Sequence, residues 1–240
     1  MDPDDVSLIV GQVGRFVRDE VLPLEETIEA TGRVPDDLRR KAAEMGLFGF
    51  SIPEQYGGLG MAMSEEVRLA FELGYASPAF RSMLGTNNGI AGQVILQFGS
   101  EEQRQRYLPR IASGESVVSF ALTEAEAGSD PASLRTTARR VGDHYVINGA
   151  KRFITNAPDA DLFVVFARTG GNRGESKGIS AFVVDRSSDG LVVGPPDEKM
   201  GQRGALSAEV FFTDVAVPAD GLIGEEGEGY RAAMRVLSRG

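Results

Sequence analysis

The sequence predicts an α+β chain of several units: an all-α N-terminal domain, a β-sandwich or barrel middle domain, and the start of a further helix. Three observations predict it. Apolar residues recur at helical spacing as far as Gly114, short runs rich in β-branched and aromatic residues follow, and a helical pattern resumes near Gly227. The expected boundaries are 1–115, 116–226 and 227–240.

The helical half begins with Val6, Ile9, Val10, Val13, Phe16, Val17 and Val21, which predict a helix over 6–22. "VPDDLRRKAAEMG" has Pro35 and two acids in a first turn and Gly46 just past the end. "LFGFSIPEQYGGLGM" is irregular, punctuated by Pro53, Gly57, Gly58 and Gly60. Ser64 is expected to cap a helix to about Gly74, and a longer apolar segment covers 79–97. Ser100 with Gln103 reads as a capping box, and Pro109 is expected to bend or end the helix that follows.

The β half is read from "SVVSFAL", "LRTTARRV", "HYVIN", "KRFIT", "LFVVFAR", "ISAFVVD", "LVV" and "AEVFFTDV". Between them lie Gly142-Asp143, Asn148-Gly149, the loop from Gly170 to Gly178, and Asp189-Gly190, all read as turns. After Gly227, Met234 and Leu237 would leave an apolar helix face with nothing following to cover it, so the chain reads as cut.

Composition narrows the function. Of 240 residues, 42% are hydrophobic and 25% charged, so a sizeable core is expected. A net charge of −10 gives no broad basic surface and disfavours non-specific nucleic-acid binding. With no cysteine and His144 alone, thiolate catalysis, disulfides and Cys- or multi-His-ligated metals are excluded. His144 itself reads as structural, opening a strand after a Gly-Asp turn. The acidic start "MDPDDVSLIV" has no signal-peptide pattern, and no apolar run approaches the roughly 20 residues of a membrane span. The expectation is a cytoplasmic protein with no membrane segment.

Two phosphate-binding patterns fail. "GNRGESKG" (171–178) has Ser176 where a P-loop needs glycine, and it lies between strands. "GEEGEGY" would set Glu225, Glu226 and Glu228 against a pyrophosphate; as acids ahead of a helix they read as ordinary macrodipole partners. "ALTEAEAGSD" (121–130) reads first as a solvated turn, with Glu124 and Glu126 in water. Its chemistry also permits a site, because Thr123 and Ser129 offer hydroxyls and Gly128 allows close approach to the backbone. "RFITN" (152–156) would add the aromatic face of Phe153 and the Thr155 hydroxyl, together suiting a flat heteroaromatic ring.

"GLFGFSIPEQYGGLGM", "ALTEAEAGSD", "YVINGAKRFITNA" and "EKMGQRGALSAEVFFTDVAVPADGLIGEEGEGY", in that order, resemble the acyl-CoA dehydrogenases over essentially the whole chain. The resemblance implies FAD, a helical domain, a central β domain and a C-terminal four-helix domain. It implies that Phe120, Ala121, Leu122, Thr123, Gly128 and Ser129 line the flavin ring and pyrophosphate, with Thr123 on the pyrimidine side. Phe153, Ile154 and Thr155 would form the other wall, with the Thr155 hydroxyl near flavin N5. Ser129 would also face the acyl-CoA substrate, and Ser176 its CoA moiety. Phe153 stands where many members carry Trp, and Ala125 where proline is common.

The implied reaction is α,β-dehydrogenation of an acyl-CoA to trans-2-enoyl-CoA, with electrons passed to an electron-transfer flavoprotein by a homotetramer. No metal is implied. The catalytic glutamate is expected beyond Gly240, so the isolated chain is expected to hold FAD weakly and to be inactive. An oxidase or monooxygenase of the same superfamily, or a non-catalytic flavin- or CoA-binding module, are the alternatives.

Overall fold

The computed structural model describes residues 2–238. The helical half comprises α1 (Pro3–Phe16), α2 (Glu25–Thr31), α3 (Asp36–Glu44), α4 (Met63–Leu73), α5 (Pro78–Gly85), α6 (Ala91–Phe98) and α7 (Glu101–Ala112). The predicted 6–22 helix is α1 continued through a wide π turn at Val17–Val21, and the 79–97 segment is α5 and α6 joined by another at Thr86–Ile90. Among the described residues no helix is long and apolar enough to cross a membrane.

Two helix ends differ from expectation. Ala62, not Ser64, precedes the first residue of α4, because Glu65 Oε2 accepts from the Ala62 N–H at 2.7 Å and starts the helix earlier. Pro109 neither ends nor breaks α7, which runs on to Ala112. Proline there forfeits one hydrogen bond, to the carbonyl of exposed Gln105, which water can satisfy. The capping box forms as read: Ser100 N–H donates to Gln103 Oε1 at 3.0 Å and Gln103 N–H to Ser100 Oγ at 3.2 Å.

The β half contains β1 (Val118–Ala121), β2 (Thr137–Val141), β3 (His144–Thr155), β4 (Leu162–Arg168), β5 (Ile179–Asp185), β6 (Leu191–Pro196), β7 (Ser207–Pro218) and β8 (Leu222–Ile223), followed by α8 (Gly229–Leu237). The expected sandwich or barrel is realised as one mixed sheet of order β6-β7-β3-β2-β4-β5-β8, with β1 parallel to β4. The two halves meet at a single β2–β4 register pair, Thr137 with Arg168, and enclose a common apolar core. Asn148-Gly149 is not a turn. Both flanking runs pair with β7, and the dipeptide absorbs a register shift inside one long strand. Gly149 is needed there because a Cβ would lie 2.4 Å from Thr136 Oγ1. His144 opens β3 as expected, its Nδ1 3.2 Å from Asp143 Oδ1.

Strand β4 is buried on both faces from Leu162 to Ala167. Leu162, Val164 and Phe166 pack towards residues of α6, α7 and α8, while Phe163, Val165 and Ala167 join the core between the sheet halves. Alternation of side chains across a strand makes this division automatic. A third core fills the helical half around Phe16, Leu69 and Phe80.

Buried amides join the halves. Asn87, in the second π turn, donates to the carbonyls of Ile111 (3.1 Å) and Ser116 (2.9 Å) and accepts from Val118 N–H at 3.0 Å. Gln103 donates to the carbonyls of Asp220 (2.7 Å) and Leu222 (2.9 Å). Asn87→Ala would orphan the buried Val118 N–H and remove both donated bonds. Urea denaturation should show a loss of about 3 kcal/mol, the scale of a buried polar group left without its partner.

Candidate functional site

The site is built where β3 ends. Between Lys151 and Ile154 the β3–β7 register shifts by one residue, so that Arg152 and Phe153 stand against Glu209 alone and the strand bulges. Phe153 adopts a left-handed φ of 57°, and Asn156 follows at 62°. A non-glycine residue in that region costs about 1–2 kcal/mol. Phe153 is 59% exposed, with the Arg152 guanidinium 4.9 Å from its ring centroid. Strain and exposure at one aromatic residue mark a surface built to be covered.

Opposite the bulge lies the segment after β1. A cavity of about 380 Å³ is lined by Phe120, Leu122, Thr123, Gly128 and Ser129 on one side and by Phe153, Ile154 and Thr155 on the other. That volume falls within the range of about 300–1,000 Å³ typical of small-molecule sites. The two motifs, more than twenty residues apart in sequence, thus share one space. Thr86 and Ile90 of the π turn, Pro131, and Met234 and Leu237 of α8 complete the wall.

The polar groups in this cavity are hydroxyls. Those of Thr123, Ser129 and Thr155 have no hydrogen-bond partner among the described residues. A Cβ added to Gly128 would meet only the Thr123 methyl, at 3.9 Å, so the missing side chain leaves open space rather than relieving a clash. Donor-acceptor hydroxyls on apolar and aromatic walls fit a flat heteroaromatic ring carrying carbonyl and N–H groups. No carboxylate among the described residues lines the cavity. Glu226 instead accepts from the Tyr145 hydroxyl at 2.6 Å.

Two sequence-named residues stand elsewhere. The Ala121 side chain is fully buried in the core between the sheet halves. Ser176 is exposed on the loop that packs, through Gly174 N–H to Ala132 O (3.0 Å) and Arg173 Nε to Ser133 O (3.0 Å), against the turn following Pro131.

Glu124 corrects the solvated reading. Its side chain is 7% exposed, and it pairs at 2.8 Å with Lys151 Nζ, whose side chain has no exposure. Lys151 also donates to Leu122 O at 3.0 Å, and the Glu124 carboxylate accepts from Arg135 N–H (2.6 Å) and Thr136 N–H (3.0 Å). Burial pushes the Lys151 ammonium down to about 8, against the raising effect of Glu124. Burial pushes Glu124 up, but the Lys151 charge and the hydrogen bonds outweigh it and hold the carboxylate below its ordinary value. Glu126 is in water as read, 57% exposed and paired with Arg135 and, at 3.5 Å, with Arg173.

With this geometry in place, comparison with known proteins is specific. Residues 3–115 match the acyl-CoA dehydrogenase N-terminal domain and residues 119–215 the acyl-CoA dehydrogenase middle domain. The chain belongs to the acyl-CoA dehydrogenase family. A Bacillus subtilis acyl-CoA dehydrogenase is 40% identical over 225 residues, covering 94% of this chain and 59% of the relative. The chain therefore spans about three fifths of that relative's length. An acyl-CoA dehydrogenase of Bacillus anthracis, solved in complex with FAD, superposes with a TM-score of 0.88 at 35% identity, covering 98% of this chain and 40% of that one. A structure from work on the electron-transferring flavoprotein of Acidaminococcus fermentans gives 0.93 at 36%, covering 100% and 63%. The acyl-CoA dehydrogenase family is FAD-dependent.

Five of the lining residues, Thr86, Ile90, Pro131, Met234 and Leu237, are not among those the sequence singled out for the site. Met234 and Leu237 were visible as an uncovered apolar face, without an indication of what they faced. Thr86 and Ile90 gave no signal, because a π turn has no residue pattern of its own.

Glu124→Gln should lower stability at neutral pH by about 3 kcal/mol, since Lys151 would be left either as an unpaired buried charge or as a lysine forced to give up its proton. A carboxylate with a lowered folded pKa contributes stability above its unfolded pKa, about 4.3, and loses it as pH falls through the folded value. Denaturation from pH 7 to 3 should therefore show the gap between wild type and variant closing on the acid side. Phe153→Gly should hold or raise the melting temperature, relieving about 1 kcal/mol of backbone strain while sacrificing little burial.

Proposed function

We propose that the protein of which this chain forms part is an FAD-dependent acyl-CoA dehydrogenase, converting an acyl-CoA to its trans-2-enoyl-CoA and passing electrons to an electron-transfer flavoprotein. The observation that carries the reading is the convergence of three partnerless hydroxyls and the strained, exposed Phe153 on one cavity formed by the two motif segments. FAD, when bound, accepts the hydride equivalent from the β-carbon.

Thr123, Ser129 and Thr155 act as orienting donors and acceptors, with Thr123 on the pyrimidine side and Thr155 by the reactive edge. Phe153 and Ile154 cover one side of the ring, and Phe120 and Leu122 help exclude water, so each polar contact acts in a low-dielectric space. Ser129, at the exposed mouth, serves the acyl-CoA, and Ser176 on the adjoining loop serves its CoA portion. The catalytic base is a carboxylate from outside the cavity's described lining. The reading extends, on family grounds alone, to a cytoplasmic homotetramer.

The test is anaerobic mixing of the purified full-length protein with a panel of acyl-CoA thioesters. Substrate should bleach the flavin's visible absorption, and added electron-transfer flavoprotein should restore it. A colourless protein, or a yellow one that no acyl-CoA bleaches, refutes the proposal. Rapid reoxidation by oxygen would assign an oxidase instead. Phe153→Gly should weaken FAD binding at least about tenfold, the scale of losing a stacked aromatic face.

A further inference from the structure

We infer that the buried Glu124–Lys151 pair is a positioning device that holds the two walls of the FAD cavity at a fixed spacing; this rests on the cofactor reading above. Neither side chain lines the cavity, so neither touches the cofactor. Lys151 binds the carbonyl of Leu122, which does line it, and the pair stands within two residues of Thr123 on one wall and Phe153 on the other.

Three consecutive residues of the segment that carries the first wall are each tied to β3. Leu122 O accepts from Lys151 Nζ at 3.0 Å, Thr123 O from Arg152 N–H at 2.9 Å, and Glu124 Oε1 from Lys151 Nζ at 2.8 Å. The next residue along β3 is Phe153, the opposite wall. Thr123 and Phe153 are therefore linked by one backbone hydrogen bond and one peptide bond, a path with little torsional slack.

Glu124 also governs the rest of the loop. Its backbone exchanges two hydrogen bonds with Ala127, at 3.0 and 3.2 Å, closing the tight turn that delivers Gly128 and Ser129 to the cavity. Its carboxylate takes the N–H groups of Arg135 and Thr136, fixing where the loop rejoins the sheet.

Stability alone does not call for a charged pair here. Well-packed apolar residues of similar volume commonly stabilise as well as a buried ion pair or better. What an ion pair adds is direction: a carboxylate accepting from fixed N–H groups and an ammonium donating to a fixed carbonyl have defined geometry. A site whose support is loose by about 1 Å can lose function while the fold survives.

The experiment measures FAD affinity of the full-length protein by flavin-fluorescence titration, with thermal unfolding of the unliganded protein recorded separately. Glu124→Asp keeps the charge pair but draws the carboxylate back by one methylene. It should raise the FAD Kd at least about fivefold and blur the vibronic structure of the bound flavin's visible band, while lowering the melting temperature less than Glu124→Gln does. The double variant Glu124→Gln with Lys151→Met removes both charges and leaves no unpaired ion. It should recover most of the melting temperature lost by Glu124→Gln alone, yet keep an FAD Kd raised by about tenfold or more.

FAD affinity that is unchanged in Glu124→Asp, or that recovers in step with melting temperature in the double variant, overturns the positioning role and leaves the pair a stabilising contact. A wild-type full-length protein that binds no FAD overturns the cofactor reading on which the inference stands.

Discussion

An ammonium with no exposure to solvent is the constraint around which the β half is arranged. Lys151 cannot remain charged at its depth without a counter-charge and oxygen acceptors, and Glu124 and the Leu122 carbonyl supply both. Those partners lie in the loop after β1, so satisfying Lys151 brings that loop against β3. The loop's course, the bulge beyond Lys151 and the outward placement of Phe153 belong to one arrangement. The apolar cores provide the driving force for folding but are indifferent to which way Thr123 faces; the polar contacts settle that.

A second constraint decides where the cavity lies. Strand β4 serves two cores at once, so the sheet cannot move relative to the helices without disturbing both. Asn87 carries the second π turn onto the start of β1, and Asn156 donates to Thr86 Oγ1 at 2.8 Å just beyond the Phe153 bulge. The cavity therefore opens at a seam, with walls from the sheet, the helical half and α8. A seam of this kind gives a flat ligand contacts on several sides while each wall stays anchored in its own core.

Much of this was legible in the residues. Strand runs such as "LFVVFAR" and helix entries such as Ser100–Gln103 carry their own local chemistry, and both formed as read. The site's hydroxyls were legible because Thr123, Ser129 and Thr155 sit in short segments with few other chemical options. What escaped was set by tertiary context. Asn148-Gly149 has the composition of a tight turn, but both its flanks found the same partner strand, and pairing overrode local preference. Glu124 looked solvated because nothing near it in sequence announces a cation twenty-seven residues later. The left-handed backbone of Phe153 is equally silent, since an aromatic residue gives no local reason to adopt it.

The π turn at Thr86–Ile90 bears on how this chain can change over evolutionary time. One of its i→i+5 bonds, Ala91 N–H to Thr86 O, closes a loop one residue wider than an ordinary helical turn. Deleting a single residue there would restore a regular helix with its backbone bonding intact, which makes the deletion look harmless. It would nevertheless rotate everything after it by about 100° around the helix axis, the angle per residue of an α-helix. Ile90 and α6 would turn away from the cavity and from β4, while Asn87 would lose its alignment with Val118. At this turn the fold constrains chain length as firmly as it constrains the identity of Asn87.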